Sequence, residues 1–326
     1  MRRAKKSRIM INKVAEFIKK DDDFVIATHI NPDGDGVGAS LAFAYLLRSL
    51  GKKAAVAISE QELPPQYQFL MDLDKWPKAA TFKEKVLVAL DVANEKRLGE
   101  QMSALAECRA AVNIDHHPDN SDFADINWVD VSVTSTSEMV FELFSKMEIE
   151  LTVQPATCIY VGMLTDTGRW QYSNTTSKSF KIAARLVELG VRPQEVFSKI
   201  YEQQSVEWLK MMAIGLGRAV FEKESGLAYT IINQKDLKMS GASMSETENV
   251  IDWLRSVKDI DVAMVIKEAA NGEVKVSLRS QEPIDVGRIA REQGGGGHRN
   301  ASGFISKDKP EVIVDKVEKW LTEFSS

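Results

Sequence analysis

Histidine is scarce in this 326-residue sequence, and each of its four copies lies in a stretch that could do chemistry. His116 and His117 are adjacent, and they follow Asp115 at the end of an apolar run. Imidazole and carboxylate groups must be paired when they are buried, so this triplet is poor material for a core. It is well suited to holding a divalent metal ion and to giving a proton to a molecule bound there. His29 and His298 lie in two further motifs, which makes a purely structural role for the four histidines less favoured.

A second group of potential metal ligands follows the short apolar run 24–27. His29, Asp33 and Asp35 lie within seven residues, and interspersed glycines permit tight backbone turns. We expect an extended loop here, in which carboxylates two positions apart point to different sides and serve two ions. Oxygen-rich ligation with some imidazole suits Mn²⁺ or Mg²⁺ and does not exclude Zn²⁺. The alternative is an Asx-type turn beside a solvated histidine, because acidic glycine-rich turns are common without a metal.

Single aspartates at two further positions extend this set. Asp91 follows five apolar residues, and Asp166 follows an apolar stretch of helical length. Either one alone is more simply interpreted as a turn or helix N-cap residue. Several segments, however, place an aspartate or a histidine at the end of an apolar run. It is less favoured that all of these residues are turn or cap residues than that any one of them is. The segments together supply enough ligands for two ions that share one carboxylate: His29, Asp33, Asp35, Asp91, His116 and Asp166.

A glycine run near the C-terminus forms a separate constellation. Consecutive glycines let backbone N–H groups approach an anion closely. A flexible linker is the alternative, but His298 and an Arg-Asn pair follow the run directly, where a linker would have Ser or Pro. Arg279 ends a predicted strand and is a plausible partner, although a surface cation is its simplest interpretation. The candidate substrate-binding residues are Arg279, Gly295, Gly296, Gly297 and His298, with Gly294 opening the run.

Strands and helices alternate in the first half of the chain. This alternation is typical of an α/β layer with a mostly parallel sheet, in which ligands bind beyond the carboxyl ends of the strands. The candidate ligands fall at those ends or just beyond a helix, so a single cluster is expected. Apolar runs predict strands at 24–27, 53–58, 86–90 and 110–114, and helices are expected at 9–19, 40–50, 135–147, 155–164 and 177–189.

The pattern changes after a predicted helical connection. We expect a first domain at 1–189, a helical linker at 190–217 and a smaller α+β domain at 218–326, with an active site in the cleft between the two domains. In the second domain, strands are predicted at 219–221, 228–232, 262–267 and 274–278, and helices at 246–257, 284–292 and 310–324.

Composition narrows the range of partners. The net charge is −5 and the pI is about 5.6, whereas a protein that coats duplex nucleic acid would be basic. Cys108 and Cys158 lack metal or redox spacing, which indicates free thiols in a reducing compartment. No apolar run reaches the roughly 18 residues of a membrane span, and the basic N-terminus lacks a signal-peptide core. The sequence therefore predicts a cytoplasmic protein without a membrane partner.

These motifs resemble those of the DHH phosphoesterase superfamily. The segment from His29 to Asp35, then Asp91, the triplet 115–117 and the segment 165–168 match its four metal-site motifs. The stretch 294–303 matches the glycine-rich motif of its DHH-associated domain, although Arg299 and Asn300 stand where many members have proline or smaller residues. The length and the spacing of the two halves resemble the bacterial nanoRNase/pAp phosphatase group of that superfamily.

The resemblance implies a phosphodiesterase that uses two Mn²⁺ ions, with Mg²⁺ as a substitute, and acts on very short RNA or on pAp. It also implies that the second domain binds the substrate and that the N-terminal domain holds the metals. The sequence leaves the oligomeric state open, with a homodimer as one candidate. The implied roles are His29 and Asp33 on one metal, Asp35, His116 and Asp166 on the other, Asp91 as the bridge, His117 at the scissile phosphate or leaving oxygen, and Asp115 orienting the histidines.

Three other functions compete with a nanoRNA exonuclease that starts at the 5′ end and also acts as a pAp phosphatase. The same chemistry could be directed at pApA or cyclic di-AMP. A manganese inorganic pyrophosphatase has similar motifs in its first domain, but the glycine-rich motif resembles an oligonucleotide-binding element. A non-catalytic nucleotide-binding module is disfavoured by the complete set of ligands.

Overall fold

A five-stranded sheet in which neighbouring strands run parallel organises the first half of the chain. The computed structural model describes residues 2–58, 63–76 and 83–324. The two central strands are buried along their whole length, as continuous apolar runs between two helical layers should be. The predicted α/β class with a parallel sheet is confirmed. In spatial order the strands are β2 (Ala54–Val56), β1 (Phe24–Ala27), β3 (Val86–Leu90), β4 (Ala110–Asp115) and β5 (Ile126–Val129).

Helices connect these strands and complete the first of two compact units, Met1–Gln203 and Gln204–Ser326. The boundary between the units falls inside the segment 190–217. Short 3₁₀ helices lie at Pro65–Tyr67 and Glu95–Ser103. The α-helices of this unit are α1 (Arg2–Lys20), α2 (Gly34–Ser49), α3 (Gln68–Met71), α4 (Ala104–Glu107), α5 (Thr136–Lys146), α6 (Val153–Asp166), α7 (Ser177–Glu188) and α8 (Pro193–Tyr201).

The expected extended loop around Asp33 and Asp35 is wrong, because α2 already begins at Gly34. Asp33 is its N-cap residue, and its carboxylate accepts hydrogen bonds from the amides of Asp35 (2.9 Å) and Gly36 (3.0 Å). This cap satisfies amides that have no partner inside the helix, which offsets the low helix propensity of the glycines. The two carboxylates are therefore separated by a helix start and not by an extended chain.

The glycines in this segment allow close packing of helices. A Cβ atom on Gly34 would lie 2.5 Å from the hydroxyl oxygen of Thr165. A Cβ atom on Gly38 would lie 2.4 Å from the carbonyl oxygen of Cys158. Both contacts are with α6, so the glycines bring the first turn of α2 next to the helix that ends at Asp166.

A six-stranded mixed sheet forms the second unit, which confirms the predicted α+β domain. In this sheet β7 and β8 run parallel, and every other pair of neighbouring strands runs antiparallel. In spatial order the strands are β10 (Gly296–His298), β11 (Ala301–Ser306), β9 (Val274–Ser280), β8 (Val262–Glu268), β7 (Leu227–Ile232) and β6 (Val220–Glu222). The helices are α9 (Val206–Gly217), α10 (Gln234–Ser240), α11 (Val250–Arg255), α12 (Val286–Glu292) and α13 (Pro310–Phe324), with a 3₁₀ turn at Met244–Thr247.

Side chains from both faces of this second sheet are buried, because helices cover each face. Along β8, Met264 contributes to a core with α12 and α13, and the next residue, Val265, contributes to a core with α9 and α11. This alternation is the two-residue period of a strand. Among the described residues, no helix combines the length and apolar character that crossing a bilayer requires.

We expect Gly38→Ala to lower the free energy of unfolding by about 1–3 kcal/mol, because the added methyl group forces the backbones of α2 and α6 apart. Chemical denaturation measures this change. Gly217→Ala is the matched control, since no atom lies within 4 Å of a Cβ at that position. Equal effects of the two substitutions would contradict close packing of α2 on α6.

Candidate metal centre

The carboxyl edge of the first sheet gathers the six predicted metal ligands. Each position follows from the local fold, because strands β1, β3 and β4 end at the same edge and two helix ends meet them there. The placements are His29 two residues beyond β1, Asp91 directly after β3, His116 directly after β4, Asp33 at the N-cap of α2, Asp35 in its first turn, and Asp166 as the last residue of α6.

The donor atoms form three overlapping groups, and within each group they lie within 4.8 Å of one another. Asp91 belongs to two of them. Its Oδ2 lies 3.6 Å from Nε2 of His29, and its Oδ1 lies 3.6 Å from Nε2 of His116. A carboxylate with one oxygen towards each side has the geometry of a bridging ligand. The groups are His29, Asp33 and Asp91; Asp35, His116 and Asp166; and Asp91, His116 and His117.

His29 is held in one orientation by the backbone of the next residue. Its Nδ1 lies 2.9 Å from the carbonyl oxygen of Ile30, and a carbonyl accepts, so Nδ1 carries a proton. Nε2 then faces the carboxylates of Asp33 (3.8 Å) and Asp91 (3.6 Å). Burial opposes a charge on this ring, but the two carboxylates outweigh burial and raise the pKa of His29 to about 10. The site therefore attracts a positive charge to Nε2, whether a proton or a metal ion.

Positive charge would also stabilise the ionised carboxylates of this site. Burial and the neighbouring Asp91 raise the pKa of Asp35 to about 7, and burial with Asp35 and Asp91 raises the pKa of Asp166 well above its usual range. Burial also opposes ionisation of Asp91, but His29 and the two adjacent histidines lower its pKa. A divalent cation relieves this repulsion and keeps the carboxylates ionised, so these residues fit a metal.

His117 and Asp115 form a buried pair beside the ligands. Nδ1 of His117 lies 2.8 Å from Oδ1 of Asp115. Burial opposes protonation of the ring, but Asp115 and Asp91 together raise the pKa of His117. Nδ1 of His117 also lies 3.6 Å from Oδ1 of Asp91, and ligation through Nδ1 would break the bond to Asp115. The contact with Asp115 therefore holds the ring of His117 in one position.

Two asparagines that sequence reasoning missed hold this pair in place. Asn120 donates from Nδ2 to Oδ2 of Asp115 (2.6 Å) and to Oδ1 of Asn113 (2.8 Å). Asn113 in turn donates to the carbonyl oxygens of Ala89 and Val92. A polar residue inside the apolar run 110–114 is the signal that could have identified Asn113.

The first turn of α5 also contacts the ligands, which the sequence did not indicate. Ser135 caps the helix by accepting a hydrogen bond from the amide of Glu138. The amides of Thr136 and Ser137 donate to the carboxylate of Asp35, at 2.6 and 2.9 Å. The Thr136 hydroxyl lies 3.1 Å from Oδ1 of Asp91.

The predicted substrate-binding residues lie in the second unit. Arg279 pairs with Ala301 across two strands, and Ala301 pairs with His298 on the next strand, so the three occupy one row of the sheet. Directly paired residues point to the same face, which places Arg279 and His298 on one face with only a methyl group between them. The guanidinium of Arg279 donates to the carbonyl oxygen of Leu278 (3.0 Å).

The glycine run ends in an edge strand and not in a flexible linker. Gly296–His298 forms β10, and its pairing with β11 needs glycine at two positions. Gly297 has a φ of +128°, and a Cβ atom there would lie 2.6 Å from the carbonyl oxygen of Ala301. A Cβ atom on Gly295 would lie 2.2 Å from the carbonyl oxygen of Gly303. These glycines are exposed or partly exposed beside His298.

Comparison with known proteins connects both units to one family. Residues 23–163 match the DHH family, N-terminal domain, and residues 226–323 match the DHHA1 domain. Two relatives are described as bifunctional oligoribonuclease and PAP phosphatase NrnA. The relative from Thermus thermophilus is 32% identical and covers 95% of this chain and 94% of its own. The relative from Bacillus subtilis is 30% identical and covers 93% and 96%.

A solved structure has the same fold over nearly the whole chain. It is an exopolyphosphatase-related protein from Bacteroides fragilis, with a TM-score of 0.90 and 26% sequence identity. The match covers 97% of this chain and 96% of that one.

We expect His117→Ala to retain bound metal but to lower kcat for phosphodiester hydrolysis by about 10²–10⁴-fold, because a positioned acid is lost. His116→Ala is the matched control, since the adjacent histidine belongs to the ligand group of Asp35 and Asp166 and its loss should remove metal. Elemental analysis and steady-state kinetics measure both effects. Loss of metal from the His117 variant, or an unchanged kcat, would contradict the assignment.

Proposed function

Because this chain belongs to the DHH family of phosphoesterases, and is therefore a hydrolase of phosphoester bonds, we propose that it degrades very short RNA to nucleoside monophosphates and dephosphorylates pAp. Cleavage would proceed from the 5′ end. The observation that carries this proposal is the placement of Asp91, whose two oxygens face two separate groups of potential ligands. The names of the two relatives that match over nearly their full length support the choice of substrates.

The proposed cofactor is a pair of divalent cations, with Mn²⁺ preferred and Mg²⁺ as a substitute. Mixed carboxylate and imidazole ligation suits Mn²⁺, whereas Mg²⁺ prefers oxygen ligands alone. When bound, such ions supply Lewis-acid stabilisation of an in-line displacement at phosphorus. The proposed ligands are His29 and Asp33 on one side, Asp35, His116 and Asp166 on the other, and Asp91 between them.

His117 would contribute the proton that leaves with the product. The carboxylate of Asp115 holds its ring in place, and Asn120 in turn holds that carboxylate. Asp115 and Asp91 raise the pKa of His117, which favours the protonated form of its imidazole. The ring can therefore donate a hydrogen bond to the scissile phosphate and pass the proton to the leaving oxygen.

The second unit would bind the nucleotide part of the substrate. Arg279 and His298 share one face of the sheet, and exposed glycine amides lie beside His298. A cation next to small residues suits a phosphate or the plane of a base. Free thiols at Cys108 and Cys158 support the cytoplasm as the compartment in which these substrates are met.

The direct test of this function is a substrate panel. Purified protein with Mn²⁺ should hydrolyse an RNA pentamer, a dinucleotide and pAp, and it should act poorly on an RNA 20-mer. Chelation with EDTA should abolish activity, and Mn²⁺ should restore it, because the ligand groups cannot replace the charge of the ions. Asp91→Asn should leave at most trace turnover.

Three outcomes would contradict the proposal. Full activity after exhaustive chelation would exclude the metal dependence. Preferential hydrolysis of pApA or cyclic di-AMP would keep the proposed reaction but replace short RNA and pAp as its substrates. Hydrolysis of inorganic pyrophosphate without cleavage of RNA would replace it with a pyrophosphatase.

We expect Arg279→Ala to raise the KM for a short RNA by roughly tenfold or more, since a lost charge-assisted contact costs about 1.5–3 kcal/mol. Hydrolysis of bis(p-nitrophenyl) phosphate should barely change, because this small diester has no nucleotide part. Arg299→Ala is the matched control, since that guanidinium is already engaged by Glu282 and by the carbonyl oxygen of Pro283. An equal loss of activity on both substrates would indicate that Arg279 acts in the catalytic centre or is needed for folding.

A further inference from the structure

The N-terminus of α5 contacts carboxylates from two different ligand groups. Its first two residues reach Asp35, and the side chain of the first also reaches Asp91. Thr136 and Ser137 are fully buried, as is Asp35. The segment thus contacts the metal centre from inside the protein and adds no ligand of its own.

The contact with Asp35 uses amides that the helix cannot satisfy itself. The first amides of an α-helix have no partner within the helix, and they carry its positive partial charge. Thr136 donates to Oδ2 of Asp35 and Ser137 to Oδ1, at 2.6 and 2.9 Å. Two parallel hydrogen bonds fix the plane of the carboxylate, which determines where its remaining lone pairs point.

The contact with Asp91 uses a side chain instead. The Thr136 hydroxyl lies 3.1 Å from Oδ1 of Asp91, the oxygen that also faces His116. A hydroxyl donor on Oδ1 restricts rotation of this carboxylate and leaves Oδ2 towards His29. Thr136 therefore orients two carboxylates. Its hydroxyl contacts that of Asp91, which belongs to two groups, and its amide contacts that of Asp35, which belongs to one.

Other parts of the chain hold the start of α5 in this place. Thr134, just before the cap, donates from its amide and its hydroxyl to the buried carboxylate of Glu138, at 3.1 and 2.7 Å. Lys178 lies 2.9 Å from that same carboxylate. Asn174 donates to the carbonyl oxygens of both Thr134 and Asp166, which ties this segment to the end of α6.

The absence of a side chain at Gly162 allows α6 to approach this segment. A Cβ atom there would lie 1.9 Å from the hydroxyl oxygen of Ser137 and 2.6 Å from Oδ1 of Asp35. Any larger residue would displace the carboxylate or the helix start. The close approach of α5, α6 and Asp35 is therefore specified by the sequence.

We propose that Thr136 is a positioning residue of the metal centre, whose hydroxyl fixes Asp91 so that each carboxylate oxygen faces its own group of ligands. This inference rests on the proposed metal-dependent function. The hydroxyl acts through Asp91, and substitutions of residues that orient a metal ligand typically weaken metal affinity by about 10–100-fold.

A set of three substitutions tests this role by isothermal titration of the metal-free protein with Mn²⁺. Thr136→Val keeps the shape and removes the hydroxyl, and it should weaken Mn²⁺ binding by about 10–100-fold. Thr136→Ser restores the hydroxyl and should restore the affinity. Thr230→Val is the matched control, because it also removes a fully buried hydroxyl with a hydrogen-bond partner, but that hydroxyl bonds the carbonyl oxygen of Gly215 in the second unit.

The melting temperature of each metal-free variant separates positioning from stability. Thr230→Val and Thr136→Val should both lower it, whereas only Thr136→Val should change the Mn²⁺ affinity. Equal losses of affinity in the two valine variants would overturn the inference, as would wild-type affinity in Thr136→Val or a failure of serine to rescue. A wild-type protein that binds no Mn²⁺ would overturn the proposed cofactor as well, so the two failures are distinguishable.

Discussion

Mutual repulsion among buried carboxylates is the constraint on which the rest of this centre depends. Asp35 and Asp91 are almost fully buried, and Asp166 lies close enough to both for the three charges to interact. Like charges in a poorly solvated site disfavour ionisation, and the raised pKa values of Asp35 and Asp166 express that cost. Such a cluster persists only where imidazoles, amide dipoles or cations balance it.

The fold supplies part of that balance through helix ends. The N-termini of α2 and α5 both point at the cluster, and their amides bind the carboxylates of Asp33 and Asp35. The C-terminus of α6 has the opposite effect, because its negative partial charge arrives together with Asp166. Two positive helix ends face four carboxylates of the candidate ligand set and one negative helix end, and divalent cations are suited to supply further positive charge there.

The sequence predicted the parts of this arrangement that depend on local composition. Strands β1 and β3 were predicted to the residue, because a buried parallel strand is a continuous apolar run. The six candidate ligands could be proposed from residue type and from their positions after such runs or at a helix end. Strand β5 was missed, because its four residues show only partial burial and little apolar contrast. Strand β10 was missed because two of its three residues are glycines, which carry no hydrophobic period. Strand β11, its hairpin partner, was missed with it.

Contacts between distant segments could not be predicted in this way. A helix at 135–147 was predicted, but the residues that its first turn bonds lie about a hundred positions earlier at Asp35 and 45 positions earlier at Asp91. The glycines at the start of α2 indicated a loop, because their role in packing against α6 requires knowledge of which helix lies opposite. Local sequence therefore indicates candidate ligands by residue type, and tertiary packing determines how their side chains are oriented.

The central claim is that Asp91 lies between two separate metal positions. Anomalous diffraction from crystals grown with Mn²⁺, measured on both sides of the manganese absorption edge, tests it most directly. We expect two peaks roughly 3.5–4 Å apart, one beside His29 and Asp33 and the other beside Asp35, His116 and Asp166, with an Asp91 oxygen directed at each. A single peak, or peaks that Asp91 does not contact, would rule out a bridging role for Asp91.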